Sequence, residues 1–493
     1  MENLKDFYKQ ERGQEWRVVI RKSIKTKDRT EFPRTEMPAQ DPVQRSHNGL
    51  EVNLGLTPEM AMQEARRCID CPNPTCISGC PVEILIPKFI KNIEVGKFFE
   101  AAQVLKETSC LPAVCGRVCP QEKQCEINCF YTIKLNKPPV SIGALERFAA
   151  DYERENGDMN VPKVAESNGV KVASIGSGPA SLSWAADMAR LGYDVTVFEA
   201  LHEFGGVLKY GIPDFRLPNE IVDVEIDNLK AMGVKFLKNF IVGRTATIDE
   251  LRKRGFKSFF VASGAGLPRF MNIPGENLSG IFSANEYLTR INLMGASKDD
   301  YDTPIALGKN VAVIGGGNTA MDSVRTAKRL GAENAMIVYR RTRDEMPARL
   351  EEVEHALEEG INFMNLTNPV GYVGDSNGRV KKMILQKMEL GEPDVSGRRR
   401  PMAVEGSEYE VEVDVVIVAV GVSPNPLIPA TVSGLKTSKW GTIEVNDDFQ
   451  TSIDDIFAGG DIVRGGATVI LAMGDGRKAA VAMDRYLKSK IEK

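Results

Sequence analysis

All nine cysteines of this 493-residue chain lie between Cys68 and Cys129, and this clustering constrains the fold more than any other feature of the sequence. They follow the order C-x2-C-x4-C-x3-C in a first group, Cys68 to Cys80, and C-x4-C-x3-C-x5-C-x3-C in a second, Cys110 to Cys129. Short loops that bring several thiolates together are typical of iron–sulfur sites. The pattern therefore predicts a cradle for two clusters. A helix start at Thr57-Pro58-Glu59 and helical runs from Phe98 and Ile142 predict that the domain around it is small and mostly α.

Zinc sites and disulfides are the alternatives for these cysteines. Zinc usually takes two separated C-x2-C pairs, whereas only Cys68 and Cys71 form such a pair here. The segment Met1–Gln10 has no apolar signal region, so we expect a cytosolic (cytoplasmic) protein whose thiols stay reduced. The formal charge of −4 gives no reason to expect nucleic acid or an anionic membrane as a partner, and no apolar run approaches the roughly 20 residues of a spanning helix.

A first glycine-rich motif, Gly176-Ser177-Gly178-Pro179-Ala180, follows an apolar run that reads as a buried parallel strand. Its glycines let the backbone approach a pyrophosphate at a helix N-terminus, and an acid at the end of the next strand can accept ribose hydroxyls. Much later, an Asp after two glycines can bind the ribityl chain of a flavin. The candidate flavin-binding residues are Gly176, Gly178, Pro179, Ala180, Glu199, Gly206, Gly460 and Asp461.

A second motif, Gly315-Gly316-Gly317-Asn318-Thr319-Ala320, has the same context, but its following strand ends in arginines instead of an acid. An acid there would repel a 2′-phosphate, whereas guanidinium groups can hold one, so we expect NADPH in preference to NADH. The alternative is that these arginines line a solvated face. The candidate residues are Gly315, Gly317, Asn318, Thr319, Ala320, Arg340 and Arg341.

The two motifs predict an α/β protein with two doubly wound Rossmann-like domains, the second inserted in the first, after an α-helical iron–sulfur domain. The predicted boundaries are a polar, loosely ordered surface extension over 1–55, a helical cluster domain over 56–165, an FAD-binding domain over 166–305 plus 441–493, and an NADPH-binding domain over 306–440. No catalytic acid, base or nucleophile is evident, so the chemistry is expected to be that of the cofactors.

The order of these motifs resembles the small (β) subunit family of NADPH-dependent glutamate synthase. The cysteine groups, both glycine motifs and Gly459-Gly460-Asp461 carry the resemblance, which covers nearly everything after about residue 55. The same module is similar to the N-terminal part of dihydropyrimidine dehydrogenase and to the large chain of the electron-bifurcating NADH-dependent ferredoxin:NADP oxidoreductase.

The resemblance implies that NADPH passes a hydride to FAD and that electrons then leave singly through two [4Fe–4S] clusters. The implied partner is a large glutamate synthase subunit that makes L-glutamate from L-glutamine and 2-oxoglutarate. One implied ligand set is Cys68, Cys71, Cys76 and Cys129, and the other is Cys80, Cys119 and Cys125 with Glu146. The alternative for Glu146 is a carboxylate on a helix surface, and Cys110 and Cys115 would be spectators.

Two other functions stay open at this point. The five residues between Cys119 and Cys125 look closer to the bifurcating oxidoreductase, whose partners would be a small flavoprotein chain and ferredoxin. A cluster-bearing redox sensor that binds nucleotide without turnover is the non-catalytic alternative.

Overall fold

The computed structural model describes residues 2–157, 161–394 and 397–491. The predicted domains also include residues 1, 158–160, 395–396 and 492–493, which lie outside the described residues. Within the described part, no helix combines the length and the apolar character that a membrane crossing needs.

The helices are α1 Glu2–Arg12, α2 Glu15–Ser23, α3 Thr26–Arg29, α4 Pro42–Arg45, α5 Pro58–Arg67, α6 Thr75–Ser78, α7 Ile86–Glu94, α8 Phe98–Lys106, α9 Pro112–Val118, α10 Ile142–Asn156, α11 Pro179–Arg190, α12 Val207–Tyr210, α13 Asn219–Ala231, α14 Ile248–Lys253, α15 Ala284–Asn292, α16 Asn318–Arg329, α17 Leu350–Glu358, α18 Leu427–Thr431, α19 Asp461–Arg464 and α20 Val469–Ile491. The strands are β1 Lys171–Ile175, β2 Asp194–Phe198, β3 Lys235–Leu237, β4 Ser258–Val261, β5 Leu267–Pro268, β6 Ile281–Ser283, β7 Asn310–Ile314, β8 Asn334–Tyr339, β9 Asn362–Asn365, β10 Thr367–Gly374, β11 Val380–Pro393, β12 Arg399–Ala403, β13 Tyr409–Glu412, β14 Val415–Val418, β15 Val422–Ser423 and β16 Ile456–Ala458.

The segment before α5 is fixed to the rest of the molecule by buried arginines, so the prediction of a loosely ordered extension is wrong. Arg17, Arg29 and Arg45 are each at most 1% exposed. Each one binds a carboxylate distant in the sequence: Asp70, Glu94 and Glu359, respectively. Scattered arginines in a polar segment usually indicate a solvated surface, and the sequence does not show which acids they will meet.

Asp70 is the anchor of this segment in the first cysteine loop. It is fully buried and adopts a left-handed backbone conformation with φ of 51°, which Asp tolerates better than most residues. Its carboxylate accepts hydrogen bonds from Arg17 (2.5 Å), Arg21 (2.6 Å) and the Tyr8 hydroxyl (3.1 Å), and its backbone carbonyl accepts one from Arg12 (2.8 Å). Helices α1 and α2 therefore clamp the loop that holds Cys68 and Cys71.

Helices α5 and α7 to α10 form the predicted helical domain around the cysteines. Thr57 caps α5 by accepting a hydrogen bond from the Met60 amide, and a proline occupies the first helical turn, as the sequence indicated. Phe89, Ile90 and Ile93 line the inner face of α7 and are at most 1% exposed. This apolar face packs on α5 and α8, so the helices present the cysteine loops from a rigid base.

A first five-stranded parallel sheet has the order β16-β4-β1-β2-β3. All its strands except the edge strand β3 are almost completely buried, because helices such as α11 and α20 cover the sheet. The strand at one edge, β16, comes from the end of the chain, and all the other strands come from before β5. The remaining units are therefore inserted between β4 and β16.

The inserted part contains a second parallel sheet with the order β6-β14-β7-β8-β9 and an antiparallel sheet of β10 to β13. The predicted fold class, two doubly wound units with one inserted in the other, is confirmed by this topology. The two-stranded ribbon β5–β15 joins the units where the chain leaves and re-enters the first one. The second sheet includes β6 at Ile281–Ser283, which lies before residue 306, the predicted start of the NADPH-binding domain. The domain boundaries stay predictions.

Candidate functional site

The first glycine motif forms the turn between β1 and α11 and needs glycine at its first position. A Cβ on Gly176, whose φ is 99°, would lie 2.5 Å from the Ala262 carbonyl oxygen at the end of β4. A Cβ on Gly178 would meet no atom within 4 Å, which leaves open space beside the first turn of α11. Pro179 occupies that turn and gives up no needed hydrogen bond there. An anionic group such as a pyrophosphate fits this place.

Glu199 lies at the end of β2, where the sequence predicted a ribose-binding acid. Its buried carboxylate accepts hydrogen bonds from the amide (2.9 Å) and hydroxyl (2.6 Å) of Ser177 and from the Leu201 amide (2.9 Å). Gly206 has a φ of 56° and packs on the motif, since a Cβ there would lie 3.0 Å from Gly178 Cα. These contacts hold the motif and the acid as one unit.

The second motif repeats the arrangement between β7 and α16. A Cβ on Gly315 would lie 2.4 Å from the Ala419 carbonyl oxygen at the end of β14, while the space at Gly317 is nearly open. The side-chain oxygen of Asn318 accepts a hydrogen bond from the Arg349 amide (2.8 Å), so it also positions the loop before α17. Ala320, in the first turn of α16, is fully buried in the core of the second unit, because this face of the helix packs on the sheet.

Both motifs open into one cavity of about 2430 Å³. Typical pockets for a single ligand measure roughly 300–1,000 Å³, so this one has room for two nucleotides. All eight candidate flavin-binding residues line it, as do Gly315, Gly317, Asn318, Thr319, Arg340 and Arg341 of the second set. Ala320 is the one candidate that does not border the cavity.

The two candidate phosphate-binding arginines have different surroundings. Arg340 is exposed and borders the cavity. Arg341 is 5% exposed, donates from Nε to the Arg399 carbonyl (2.7 Å) and forms an ion pair with Asp394 (2.7 Å). Arg398, from the turn between β11 and β12, also borders the cavity and was missed by the sequence reasoning. The run of three arginines that begins there is the signal that could have found it.

Gly460 and Asp461 lie at the start of α19, beside the first motif. The Gly460 amide donates to the buried Asp475 carboxylate (3.0 Å), which also binds Arg464 through both oxygens. Burial raises the pKa of Asp461 to about 6, and its side chain accepts a hydrogen bond from the Ala467 amide (3.1 Å). A half-buried acid on the cavity wall fits a flavin's ribityl hydroxyls.

The first cysteine set converges beneath α1 and α5. Burial raises the pKa of the Cys76 thiol well above its ordinary value, and the nearby Cys68, Cys129 and Cys71 raise it further. Cys71, Cys76 and Cys129 are partly exposed. Among the described residues, no group of three or more His, Cys, Asp or Glu lies close enough to hold a single metal ion. An iron–sulfur cluster spreads its four ligands over several iron atoms, so this donor set fits a cluster better than zinc.

The second set is deeper and contains the carboxylate of Glu146. Burial raises the pKa of the Cys125 thiol, and nearby Cys80, Glu146 and Cys119 contribute to the same rise. Glu146 is 6% exposed, and no described residue binds its Oε1. Burial, assisted by Glu225, raises the pKa of Glu146 to about 8. A buried carboxylate oxygen that no described residue binds, close to three thiols, is a suitable metal ligand, so these residues fit a cluster.

The second set lies against the wall of the cavity. Val118 and Pro120, on either side of Cys119, border the cavity, and so does Ala472 in α20. The next residue of α20, Met473, contacts Cys115 through sulfur atoms 3.5 Å apart. The second set therefore lies beside the nucleotide cavity, and the first set is the more exposed of the two. Two clusters in these places would suit the passage of single electrons from the cavity toward the surface.

Comparison with known proteins gives two family matches. Residues 45–158 match the dihydropyrimidine dehydrogenase domain II family with a 4Fe-4S cluster, and residues 170–476 match the pyridine nucleotide-disulphide oxidoreductase family. The glutamate synthase [NADPH] small chain of Azospirillum brasilense is 38% identical over 92% of this chain and 95% of its own length. The NADP(+)-dependent formate dehydrogenase subunit beta of Moorella thermoacetica is 38% identical over 84% of this chain and 60% of its own length.

Among solved structures, Mycobacterium tuberculosis FprA in complex with NADPH superposes with a TM-score of 0.55 at 20% identity, over 66% of this chain and 86% of FprA. At that identity the likeness shows the shared fold of the two nucleotide-binding units.

Proposed function

Since the chain belongs to the family of the NADPH-dependent glutamate synthase small chain, we propose that it is the electron-input subunit of a glutamate synthase. The chain is an NADPH-dependent FAD and iron–sulfur oxidoreductase. The observation that carries the proposal is the match to small chains over nearly the full length of both proteins. A relative that shared only the reductase module would leave the partner open.

The bound cofactors supply the redox chemistry: hydride donation from the nicotinamide, two-electron acceptance and one-electron release by the flavin, and single-electron carriage by the clusters. The protein's part is to bind and orient them. Gly176 and Gly178 let the α11 N-terminus approach a pyrophosphate, and Glu199 and Asp461 offer carboxylates to sugar hydroxyls. Gly315 and Gly317 do the same for the second nucleotide.

The proposed cluster ligands are Cys68, Cys71, Cys76 and Cys129 for the outer cluster, and Cys80, Cys119, Cys125 and Glu146 for the inner one. Their support is the two converging sets, one partly exposed and one against the cavity. Cysteines are kept reduced in the cytosol, so the proposed thiolate ligands fit a place there. The acceptor at the outer end would be a large subunit that makes L-glutamate from L-glutamine and 2-oxoglutarate.

A second candidate is an input subunit for a different acceptor, such as the small flavoprotein chain and ferredoxin of an electron-bifurcating NADH-dependent ferredoxin:NADP oxidoreductase. The five residues between Cys119 and Cys125 favour it. The 38% identity to a protein named NADP(+)-dependent formate dehydrogenase subunit beta shows that similar chains also occur as subunits of other enzymes.

Anaerobic purification of the tagged protein from its own host, with mass spectrometry of the stoichiometric partner, tests the proposal. We expect a large amidotransferase chain, and NADPH oxidation that requires both glutamine and 2-oxoglutarate. Omitting glutamine is the control and should abolish that oxidation. A small flavoprotein as the stoichiometric partner, with no glutamine dependence, would refute the glutamate synthase assignment and leave the cofactors in place.

A further inference from the structure

One of the two arginines predicted to bind the 2′-phosphate, Arg341, has other partners in the structure. Arg341 is buried, its charge is paired with Asp394 at 2.7 Å, and its Nε donates to the Arg399 carbonyl at 2.7 Å. A guanidinium held on two sides can turn toward a ligand only by breaking both of these contacts. These two contacts hold the turn between β11 and β12 against the end of β8.

That turn has a defined shape at its base. The Asp394 amide donates to the Arg398 carbonyl (2.7 Å), and the Gly397 amide donates to the Asp394 carbonyl (2.8 Å). Gly397 has a φ of 79°, which suits glycine at such a turn. The two ends of the turn are thus held together, and Arg341 fixes both: one through the Asp394 carboxylate, the other through the Arg399 carbonyl.

Of the three consecutive arginines that leave the turn, Arg398 is the one that borders the nucleotide cavity. The side chain of Arg399 folds back and donates to the carbonyls of Leu390 (2.7 Å) and Gly391 (3.2 Å). Arg400 is exposed and does not border the cavity.

We propose that Arg398 reads the 2′-phosphate of NADPH together with Arg340, and that Arg341 is a positioning residue that holds Arg398 in place. Arg340 and Arg398 both border the cavity, and they are the chain neighbours of Arg341 and Arg399, whose hydrogen bond joins the end of β8 to the β11–β12 turn. Two guanidinium groups from separate elements can bind different oxygens of one phosphate. The inference rests on the proposed use of NADPH and adds the residues that select it over NADH.

The test measures binding of 2′,5′-ADP, which carries the 2′-phosphate, and of 5′-ADP, which lacks it, to the anaerobic holoenzyme by calorimetry. Arg398→Gln should weaken 2′,5′-ADP about tenfold or more and change 5′-ADP less than about twofold, because only the phosphate contact is lost. Arg400→Gln, with the same charge change on the same hairpin, is the matched control and should change neither. Steady-state kinetics should show a higher KM for NADPH with little change in kcat for Arg398→Gln.

A double-mutant cycle separates positioning from direct binding. If Arg341 acts through Arg398, then Arg341→Gln weakens 2′,5′-ADP in the wild-type background and adds little in the Arg398→Gln background. Fully additive losses would mean that Arg341 binds the phosphate itself, and would overturn its positioning role. Equal effects of Arg398→Gln and Arg400→Gln would overturn the role of Arg398. A wild-type protein that does not prefer 2′,5′-ADP would refute NADPH selectivity, whereas an unexpected partner subunit would leave all these results standing.

Discussion

Replacing Arg17 with methionine should loosen the loop that carries Cys68 and Cys71, although Arg17 is more than fifty residues away in sequence. Both partners of the Arg17–Asp70 ion pair are 0% exposed. Removing one partner of such a pair typically costs about 3–5 kcal/mol, because the other charge stays buried and uncompensated. Methionine keeps most of the volume, so the loss is chiefly electrostatic.

The expected cost lies at the lower end of that range, about 3 kcal/mol. Asp70 keeps Arg21, whose side chain is 18% exposed, and the Tyr8 hydroxyl. The change also removes the Nε and Nη1 groups of Arg17, which no described residue binds. A cost of about 3 kcal/mol makes local opening of the loop roughly 150-fold more frequent.

Hydrogen–deuterium exchange of the anaerobic holoprotein, followed in peptides that cover α2 and residues 68–76, measures this opening. Iron content per chain is the second readout, and we expect a partial loss that grows on storage. The matched control is Arg485→Met, which breaks the pair with Asp448 in which both side chains are more than half exposed. Such surface pairs contribute roughly 0–1 kcal/mol. Equal protection of the cysteine loop in both variants would refute the argument.

Three further outcomes are expected. Glu146→Ala should lower iron content and alter the EPR signal of one cluster, since a ligand would be lost; an unchanged spectrum would place this carboxylate outside the cluster. Gly178→Ala should fold normally yet bind FAD at least about tenfold more weakly, because the added methyl group enters the space for the pyrophosphate. The control is Gly49→Ala, which also has open space around its Cβ and should keep its flavin. Burial alone would raise the pKa of Glu352, but neighbouring guanidinium groups, that of Arg216 first, lower it from 4.5 to about 2. The contribution of Glu352 to the free energy of unfolding, about 3 kcal/mol, is therefore complete above pH 4.5 and is lost as the pH falls toward 2. The stability deficit of Glu352→Gln in urea unfolding should shrink over the same pH window. A deficit independent of pH would contradict this assignment.

The elements that position the two nucleotides could be predicted because their signals are local. Each motif has its strand, turn and helix within about thirty residues of sequence. The first glycine of each motif is required because a Cβ there would collide with the neighbouring strand end, at Ala262 or Ala419. The single cavity that both motifs share was not predicted, because it depends on how the two units pack.

The features that could not be predicted depend on partners distant in sequence. Arg17 and Arg45 look like surface residues until the fold brings Asp70 and Glu359 to them. Arg341 looks like a phosphate ligand until the hairpin supplies Asp394. In each case the charge is visible in the sequence, whereas the burial that decides its role is a property of the tertiary structure.

The order of the first sheet has a consequence for biosynthesis. During synthesis, β1 to β4 leave the ribosome long before β16 and α20. All the elements inserted between β4 and β16 also leave it before β16. The second unit can therefore fold completely while the chain is still on the ribosome. Until β16 and α20 are made, the sheet of the flavin unit has one unpaired edge and α11 is uncovered. Since α20 also contacts Cys115, the flavin unit and the inner cysteine set close in the same late step. Nascent chains should therefore be most vulnerable to chaperone capture and proteolysis in the interval before residue 456 has left the exit tunnel.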